Sequence, residues 1–389
     1  MDVVKEAKAP GKVLWLGGYA VLERPNIGFV TTINSYVHSV AKASSRNDVV
    51  LKARGFGDAR RGTIESSGKL SISVPEELKL LETSVEMATL YATSLGYKPI
   101  GLEVTTFNDK AMSYKTVESN GSKHVVKSGF GSSAAVVVSS IASILMLYGI
   151  SLHEKDALHK LAQLAHSVAT GKIGSGFDIA AAVHGSIKYT RYSPSIIDNF
   201  PKDFGAEDVK KIVDAKWDYV IEKVALPNGF LTAMASFIDE SASTTRFVSH
   251  VNEFKQSNQE KYHEIIEEIA SSALKAVRAI ETINTEGYSE EVALEFQKEF
   301  DASRLATKEL GILSNTSIED DDLTHIIENS KKNGAHVART PGAGGRDAIA
   351  AICIGESKAA SLKKYWSTIK GIEQVDVAVQ NNGVEVVQA

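Results

Sequence analysis

Four short segments combine glycine with side chains able to handle phosphate or a proton. The first is Lys127-Ser128-Gly129-Phe130-Gly131-Ser132-Ser133-Ala134-Ala135, which ends where a long apolar run begins. Glycines let the backbone turn tightly and approach an anion, and the unpaired N–H groups of a first helical turn, aligned with the helix dipole, favour negative charge. Lys127, Gly129, Gly131, Ser132, Ser133 and Ala134 are therefore candidate phosphate contacts, and a serine hydroxyl there can reach the Mg2+ that accompanies ATP. The segment is neither a Walker A motif, which needs Lys-Ser or Lys-Thr after its second glycine, nor a dinucleotide fingerprint. Its alternative is a plain strand-to-helix turn.

The second segment, Gly171-Lys172-Ile173-Gly174-Ser175-Gly176-Phe177-Asp178, sets a carboxylate at a glycine-rich bend before the apolar stretch Ile179–Val183. In phosphoryl transfer one carboxylate can accept the proton of an attacking hydroxyl, a role that suits Asp178; the alternative is that Asp178 caps the following helix. Lys172 is either a phosphate clamp or a solvated surface lysine. Pro341-Gly342-Ala343-Gly344-Gly345-Arg346-Asp347 lies between two strand-like runs, where glycine serves a tight turn or the close approach of backbone to a ligand. Near the N-terminus, Pro10-Gly11-Lys12 precedes an apolar run, and Lys12 is either solvated or delivers positive charge to a transferring phosphoryl group.

The elements that must hold these segments read as follows. Val3–Leu16, Gly28–Ala43, Val49–Ala53, Leu70–Val74 and Leu102–Phe107 carry the β-branched residues of strands and suggest an antiparallel sheet. Leu78, Leu81, Val85, Ala88, Ala92 and Leu95 recur at helical spacing, with Gly96 as the stop. The polar stretch Asn108–Gly121 reads as an excursion. Ser151 and Glu154 fit a capping box for a helix buried through Leu158, Leu161, Ala165 and Val168 and ending near Gly171. A polar connection at Phe200–Asp214 marks a boundary between residues 1–200 and 215–389. Beyond it, strand-like Tyr219–Leu226 and Phe230–Ala235 precede three or four long helices between Ser241 and Lys332. His336–Arg339, Ala348–Ile354 and Val375–Val379 are strand-like, with a helix over Lys358–Ile369.

The bulk numbers limit the function classes. At 389 residues the chain suits two packed lobes. With 43% hydrophobic and 23% charged residues it is an ordinary folded chain, and 43 Lys and Arg against 48 Asp and Glu lack the basic excess of a nucleic-acid binder. An anionic ligand must then be held locally. Cys353 is the single cysteine, so no intrachain disulfide forms, and a cytoplasmic setting is expected. Ala134–Ile150 is apolar but shorter than the about 20 residues of a membrane span, and reads as a buried helix.

Ala9-Pro10-Gly11-Lys12, the central Gly-Phe-Gly-Ser-Ser-Ala and the late glycine-rich loop, in this order, resemble the signature set of the GHMP kinases. Within that superfamily the chain most resembles the fungal and plant phosphomevalonate kinases. Gly17-Gly18-Tyr19-Ala20-Val21-Leu22-Glu23, Leu161-Ala162-Gln163 with Ala165-His166, Gly174–Asp178, Tyr189-Thr190-Arg191-Tyr192-Ser193-Pro194 and Pro341–Asp347 carry this narrower likeness. It spans Ala9 to Gly355 and is thin between Ser195 and Lys332. The resemblance implies a two-lobed α+β fold: a mixed or antiparallel N-terminal sheet with helices that binds ATP, and a ferredoxin-like C-terminal lobe with added helices.

It further implies ATP and Mg2+ as cofactors, with phosphates at the Gly129–Ala134 turn and the metal at Ser133. Catalysis would fall to Lys12 and Asp178. Acceptor binding would fall to Gly18, Tyr19, Lys172, Ser175, Gly176, Gly342, Ala343 and Gly344, with Ser243 and Thr244 only loosely matching an acceptor segment. The acceptor implied is phosphomevalonate, on a monomer or homodimer without nucleic acid or membrane as partner. Two departures stand out. The carboxylate by which mevalonate kinases help hold Mg2+ would fall near His166 or Ser167, so no ligand carries over there, and Arg346 stands where relatives have small or apolar residues and is expected to face solvent. Rival readings are another GHMP kinase acting on mevalonate or a different alcohol, an ATP-dependent decarboxylase of the same fold, and a non-catalytic metabolite-binding regulator.

Overall fold

The computed structural model describes residues 4–44, 46–112, 115–119, 122–126, 129–238 and 244–387. The first half runs β1 (Val4–Leu16), β2 (Ile27–Ser44), β3 (Asp48–Ala53), β4 (Arg60–Ile64), β5 (Leu70–Ser71), α1 (Lys79–Ser94), β6 (Gly101–Asn108), β7 (Lys115–Ser119), β8 (Ser122–Val126), α2 (Ser132–Leu147), α3 (Lys155–Thr170), α4 (Phe177–His184) and β9 (Ile187–Thr190). It continues with α5 (Ala206–Asp214), β10 (Val220–Lys223), β11 (Phe230–Phe237), α6 (Thr244–Ser257), α7 (Gln259–Glu286), α8 (Glu290–Leu313) and α9 (Asp321–Lys332). The last elements are β12 (Val337–Arg339), β13 (Ala348–Ile354), α10 (Glu356–Trp366), β14 (Ile372–Val375), β15 (Val379–Gln380) and β16 (Glu385–Val387).

The first sheet is organised around β2. It is 18 residues long; Phe29–Lys42 pair with β1 along one side, while the other side serves β9 through Ile27–Val30 and β6 through Val37–Ser44. Along its later half, buried and partly exposed residues alternate, the period of a strand with one face on a core. Helices α1 to α4 cover that face, and their apolar side chains merge with Trp15, Phe29, Ile33 and Leu51 in one core. Each fully buried aliphatic side chain there contributes roughly 1.5–3 kcal/mol.

α2 is apolar on every side because it is enclosed on every side, with Val137, Ile141 and Ile144 fully buried. Its serines are accommodated by back-bonding: Ser139 Oγ donates to the Val136 carbonyl at 3.3 Å and Ser143 Oγ to that of Ser140 at 3.0 Å. No helix among the described residues is long and apolar enough to cross a membrane.

The second sheet has the order β12-β13-β11-β14, all antiparallel, as in a ferredoxin-like fold, and the long helices α6 to α9 are inserted between β11 and β12. The architecture is therefore α+β with a ferredoxin-like sheet and added helices. β15 and β16 then return to the first sheet, against β2 and β1.

Several local readings need correction. β3 pairs with β6 in parallel, so the first sheet is mixed. The excursion after Asn108 holds the paired strands β7 and β8, and Phe200–Asp214 carries α5, whose Asp208 carboxylate accepts the Gly205 N–H at 2.8 Å. α3 begins at Lys155 with Glu154 as its N-cap residue and no side-chain cap; Ser151 Oγ instead accepts the His153 N–H at 3.2 Å in the preceding turn.

Candidate active site

Lys12 reaches the site through an irregularity in β1. Pro10 lies opposite Tyr36 but Lys12 opposite Thr32, so β2 contributes extra residues across from Gly11. Such bulges bend a strand and re-aim its side chains. A Cβ there would lie 2.6 Å from Met112 Sδ and 3.0 Å from Ile33, so a larger residue would have to displace these buried side chains. The Lys12 N–H donates to the Phe130 carbonyl at 2.8 Å, tying the strand to the glycine turn. At the end of that turn Gly131, φ +83°, is the N-cap residue of α2 and supplies no side-chain cap. This turn packs against the lysine stem: a Cβ on Gly131 would come within 2.8 Å of Lys12 Cε.

α4 arrives at the same place. Its N-cap residue is Gly176, φ +79°, so Asp178 is not the cap but lies inside the first turn, where Oδ1 accepts the Ile179 N–H at 2.9 Å. The preceding Phe177 ring centroid is 5.5 Å from Lys12 Nζ. Burial lowers the Lys12 pKa, while the carboxylates of Asp178 and then Asp347 pull it upward. The ammonium is thus held between two anionic side chains and a helix N-terminus in a poorly hydrated setting.

The late glycine-rich loop lies across both. Gly342 N–H donates to Leu14 O at 3.3 Å, and the buried Arg339 donates to Trp15 O at 2.7 Å. A Cβ on Gly129 would sit 3.2 Å from that of Asp347, and one on Gly18 2.9 Å from Gly342 O, so these backbones are in near contact. Tyr19 is buried at the unusual φ of +64° and donates its hydroxyl to Ala343 O at 2.8 Å. Gly344 fits over Ile318, whose carbonyl accepts Gly345 N–H at 2.7 Å. Arg346 does not simply face solvent: it pairs with Asp320 at 3.1 Å and Asp322 at 3.0 Å at the start of α9.

Of the expected site residues, Lys12, Gly129, Gly131, Ser132, Ser133, Ala134 and Asp178 come together, and Gly18, Tyr19, Gly342, Ala343 and Gly344 form the adjoining wall. Ser175 is half-buried and Gly176 buried in the turn before α4, whereas Lys172 is exposed further along the same loop. Thr244 is the first residue of α6; Lys127 and Ser243 lie outside the described residues.

Three positions went unmarked by residue type. Asp347 acts on Lys12 across about 335 residues of sequence. Arg191 is buried and donates to the Ile173 carbonyl at 3.0 Å and to Leu22 O at 2.9 Å, joining the Gly171–Gly176 loop to the Gly-Gly-Tyr segment. Gln163 Nε2 donates to Gly176 O at 2.8 Å and contacts His159 Nε2 at 3.1 Å; His159 Nδ1 lies 2.9 Å from His184 Nε2. The sequence signal for Arg191 and Gln163 is their place inside the quoted likeness, and for Asp347 its place at the end of the glycine loop.

No group of three or more His, Cys, Asp or Glu among the described residues forms a metal cage. The carboxylates of Asp178 and Asp347, which both act on Lys12, are hard oxygen donors. They fit Mg2+, which keeps several waters and takes few protein ligands when it binds alongside phosphates.

The model of the GHMP kinases N terminal domain matches residues 86–186. The fold is shared with a solved Streptococcus pneumoniae phosphomevalonate kinase in complex with phosphomevalonate and AMPPNP, at a TM-score of 0.75 and 19% identity over 96% of this chain and 99% of that one. The fold is that of the GHMP kinases. The Gibberella zeae phosphomevalonate kinase is 30% identical over 96% of this chain and 94% of its own length, and the Candida albicans phosphomevalonate kinase is 29% identical over 98% and 97%. The chain belongs to the phosphomevalonate kinase family.

Proposed function

We propose that this chain transfers the γ-phosphoryl group of ATP to the 5-phosphate of (R)-5-phosphomevalonate, giving (R)-5-diphosphomevalonate and ADP. An oxygen of the acceptor phosphate bonds to the γ-phosphorus as the bond to the bridging oxygen of ADP breaks. A phosphate monoester is largely ionised at neutral pH, so charge screening is a harder problem than proton removal.

The observation that carries this reading is Lys12. Its ammonium lies near the N-terminus of α2, the first turn of α4 and Asp347, and a phosphoryl group transferred there would meet a cation. The N–H groups of Ser132, Ser133 and Ala134 would hold ATP phosphates, and Lys12 would neutralise the charge that builds between donor and acceptor. Asp178 orients Lys12 and the acceptor. The wall of Gly18, Gly342, Ala343 and Gly344 offers backbone groups to the acceptor, with Tyr19 fixing it from behind. Mg2+, held by Ser133 with Asp178 or Asp347, would supply further positive charge at the phosphates. A cytoplasmic setting is part of the proposal, resting on the single, buried cysteine.

Phosphorus-31 NMR of the product tests the reaction. A new diphosphate pair, appearing in step with ADP when phosphomevalonate is present, is expected. Carbon dioxide release, or phosphorylation at a hydroxyl, would assign the chain to another GHMP reaction.

A further inference from the structure

The far end of α4 borders an open surface pocket of about 270 Å3, lined by Lys155, His184, Lys223 and the segment Asn381–Glu385. α4 has eight residues, so this pocket lies about 10 Å along the helix from Asp178 and is separate from the catalytic cleft. Lys155 Nζ donates to the Val183 carbonyl at 3.0 Å, which leaves it two further N–H groups. The exposed Lys223 ammonium meets no acceptor among the described residues, and its pKa is lowered by partial burial and then by the charge of Lys155. The carboxylate in the lining, Glu385, pairs with Lys8 at 3.0 Å and accepts from the Tyr36 hydroxyl at 3.5 Å and, within the lining, from Asn382 at 3.4 Å; its charge also acts on Lys155, so an incoming anion shares that ammonium with it.

His184 adds a third donor, and its tautomer follows from the buried chain described above. The Gly176 carbonyl accepts, so the Gln163 group facing it is the NH2, which also meets His159 Nε2. His159 is fully buried and held neutral by burial, so with Nε2 accepting it carries its proton on Nδ1. That proton is donated to His184 Nε2 at 2.9 Å, which leaves His184 with an Nδ1–H to give. Burial, together with Lys155 and Lys223, holds the His184 pKa down to about 4, with Asp156 opposing weakly.

We propose that this pocket is a second anion site, taking a compact phosphorylated anion through the ammonium groups of Lys155 and Lys223 and the His184 imidazole. The donors come from α3, β10 and α4, so a tetrahedral group with several acceptor oxygens satisfies them better than a halide does. The volume is that of roughly nine waters at about 30 Å3 each, room for a phosphoryl or diphosphoryl group with its remaining hydration. An occupant also meets one end of the hydrogen-bonded chain His184–His159–Gln163–Gly176, whose other end is the turn that carries Asp178.

Inorganic diphosphate is the probe, titrated calorimetrically into the full chain with the nucleotide cleft filled by Mg-AMPPNP. Binding is expected in the native protein and in Lys12→Met, and should weaken about tenfold or more in Lys223→Gln, the loss expected for one charge-assisted contact. In the native protein the diphosphate should also shift the His184 ring resonances, assigned with His184→Asn. Lys223→Gln replaces an exposed strand residue, and an unchanged unfolding midpoint confirms its fold. Equal binding by the native protein and Lys223→Gln, or binding abolished by Lys12→Met, would overturn the site. No readout depends on turnover, so the result stands apart from the identity of the acceptor.

Discussion

Replacing Gly131 with alanine tests whether the α2 turn and Lys12 form one device. A side chain at φ +83° costs roughly 1–2 kcal/mol, because Cβ crowds the following carbonyl. The new methyl would also stand 2.8 Å from Lys12 Cε and 3.1 Å from its Cγ, so the lysine stem must give way. Cε is bonded to the ammonium nitrogen, and the charge moves with it. A misplacement of about 1 Å at a reacting centre can cost about 100-fold in rate, or about 2.7 kcal/mol. The expected variant is destabilised in urea by about 1–2 kcal/mol, turns over about 100-fold more slowly in an ADP-release assay, and binds AMPPNP within a few-fold of the native protein. In a Lys12→Met background the same change should cost far less in rate, since the displaced charge is already gone. A Gly131→Ala enzyme with turnover within about twofold of native, or the same fold-loss in both backgrounds, would refute the coupling.

Lys12→Met and Asp178→Asn should each lower kcat about 100- to 1,000-fold while AMPPNP affinity changes little; preserved turnover in both would defeat the assignment. The Lys12 ammonium is the active form and its pKa is lowered by burial, so kcat should fall as pH rises through a value below the usual 10.5, and Lys12→Arg should lose that alkaline limb in a pH–rate profile. Tyr19→Phe removes the hydroxyl donated to Ala343 and should raise the KM for the acceptor more than that for ATP, with a stability loss of about 1 kcal/mol. Arg304 is 2% exposed and held by Glu319 at 2.8 and 2.9 Å, so Glu319→Ala should cost about 3 kcal/mol or more in urea unfolding.

Much of the candidate site's local structure was legible because its turns are written in local order. Glycines at 129, 131 and 176 mark turns that only a positive φ can make, and each stands at or just before the start of a helix that the apolar run announces. The strands β1, β2 and β13 were readable for the same reason, since β-branched residues are bounded there by turn residues. What was not legible depends on partners distant in sequence. Asp347 gains its role only when the second sheet brings it against Gly129, and Arg346 is drawn to Asp320 and Asp322 by the start of α9. The short strand β4 has arginines at both of its first positions and shows no alternation; pairing with β3 creates it. α3 starts without the cap that Ser151 and Glu154 suggested, because burial of Leu158, Leu161 and Leu164 fixes the helix more strongly than its first turn does.

The most direct measurement of the central claim is ADP formation by the purified chain with Mg-ATP and, in separate reactions, phosphomevalonate, mevalonate, mevalonate 3-phosphate and no acceptor. Strong turnover with phosphomevalonate alone is expected. Turnover with mevalonate in its place, or none with any acceptor despite measurable AMPPNP binding, would contradict it.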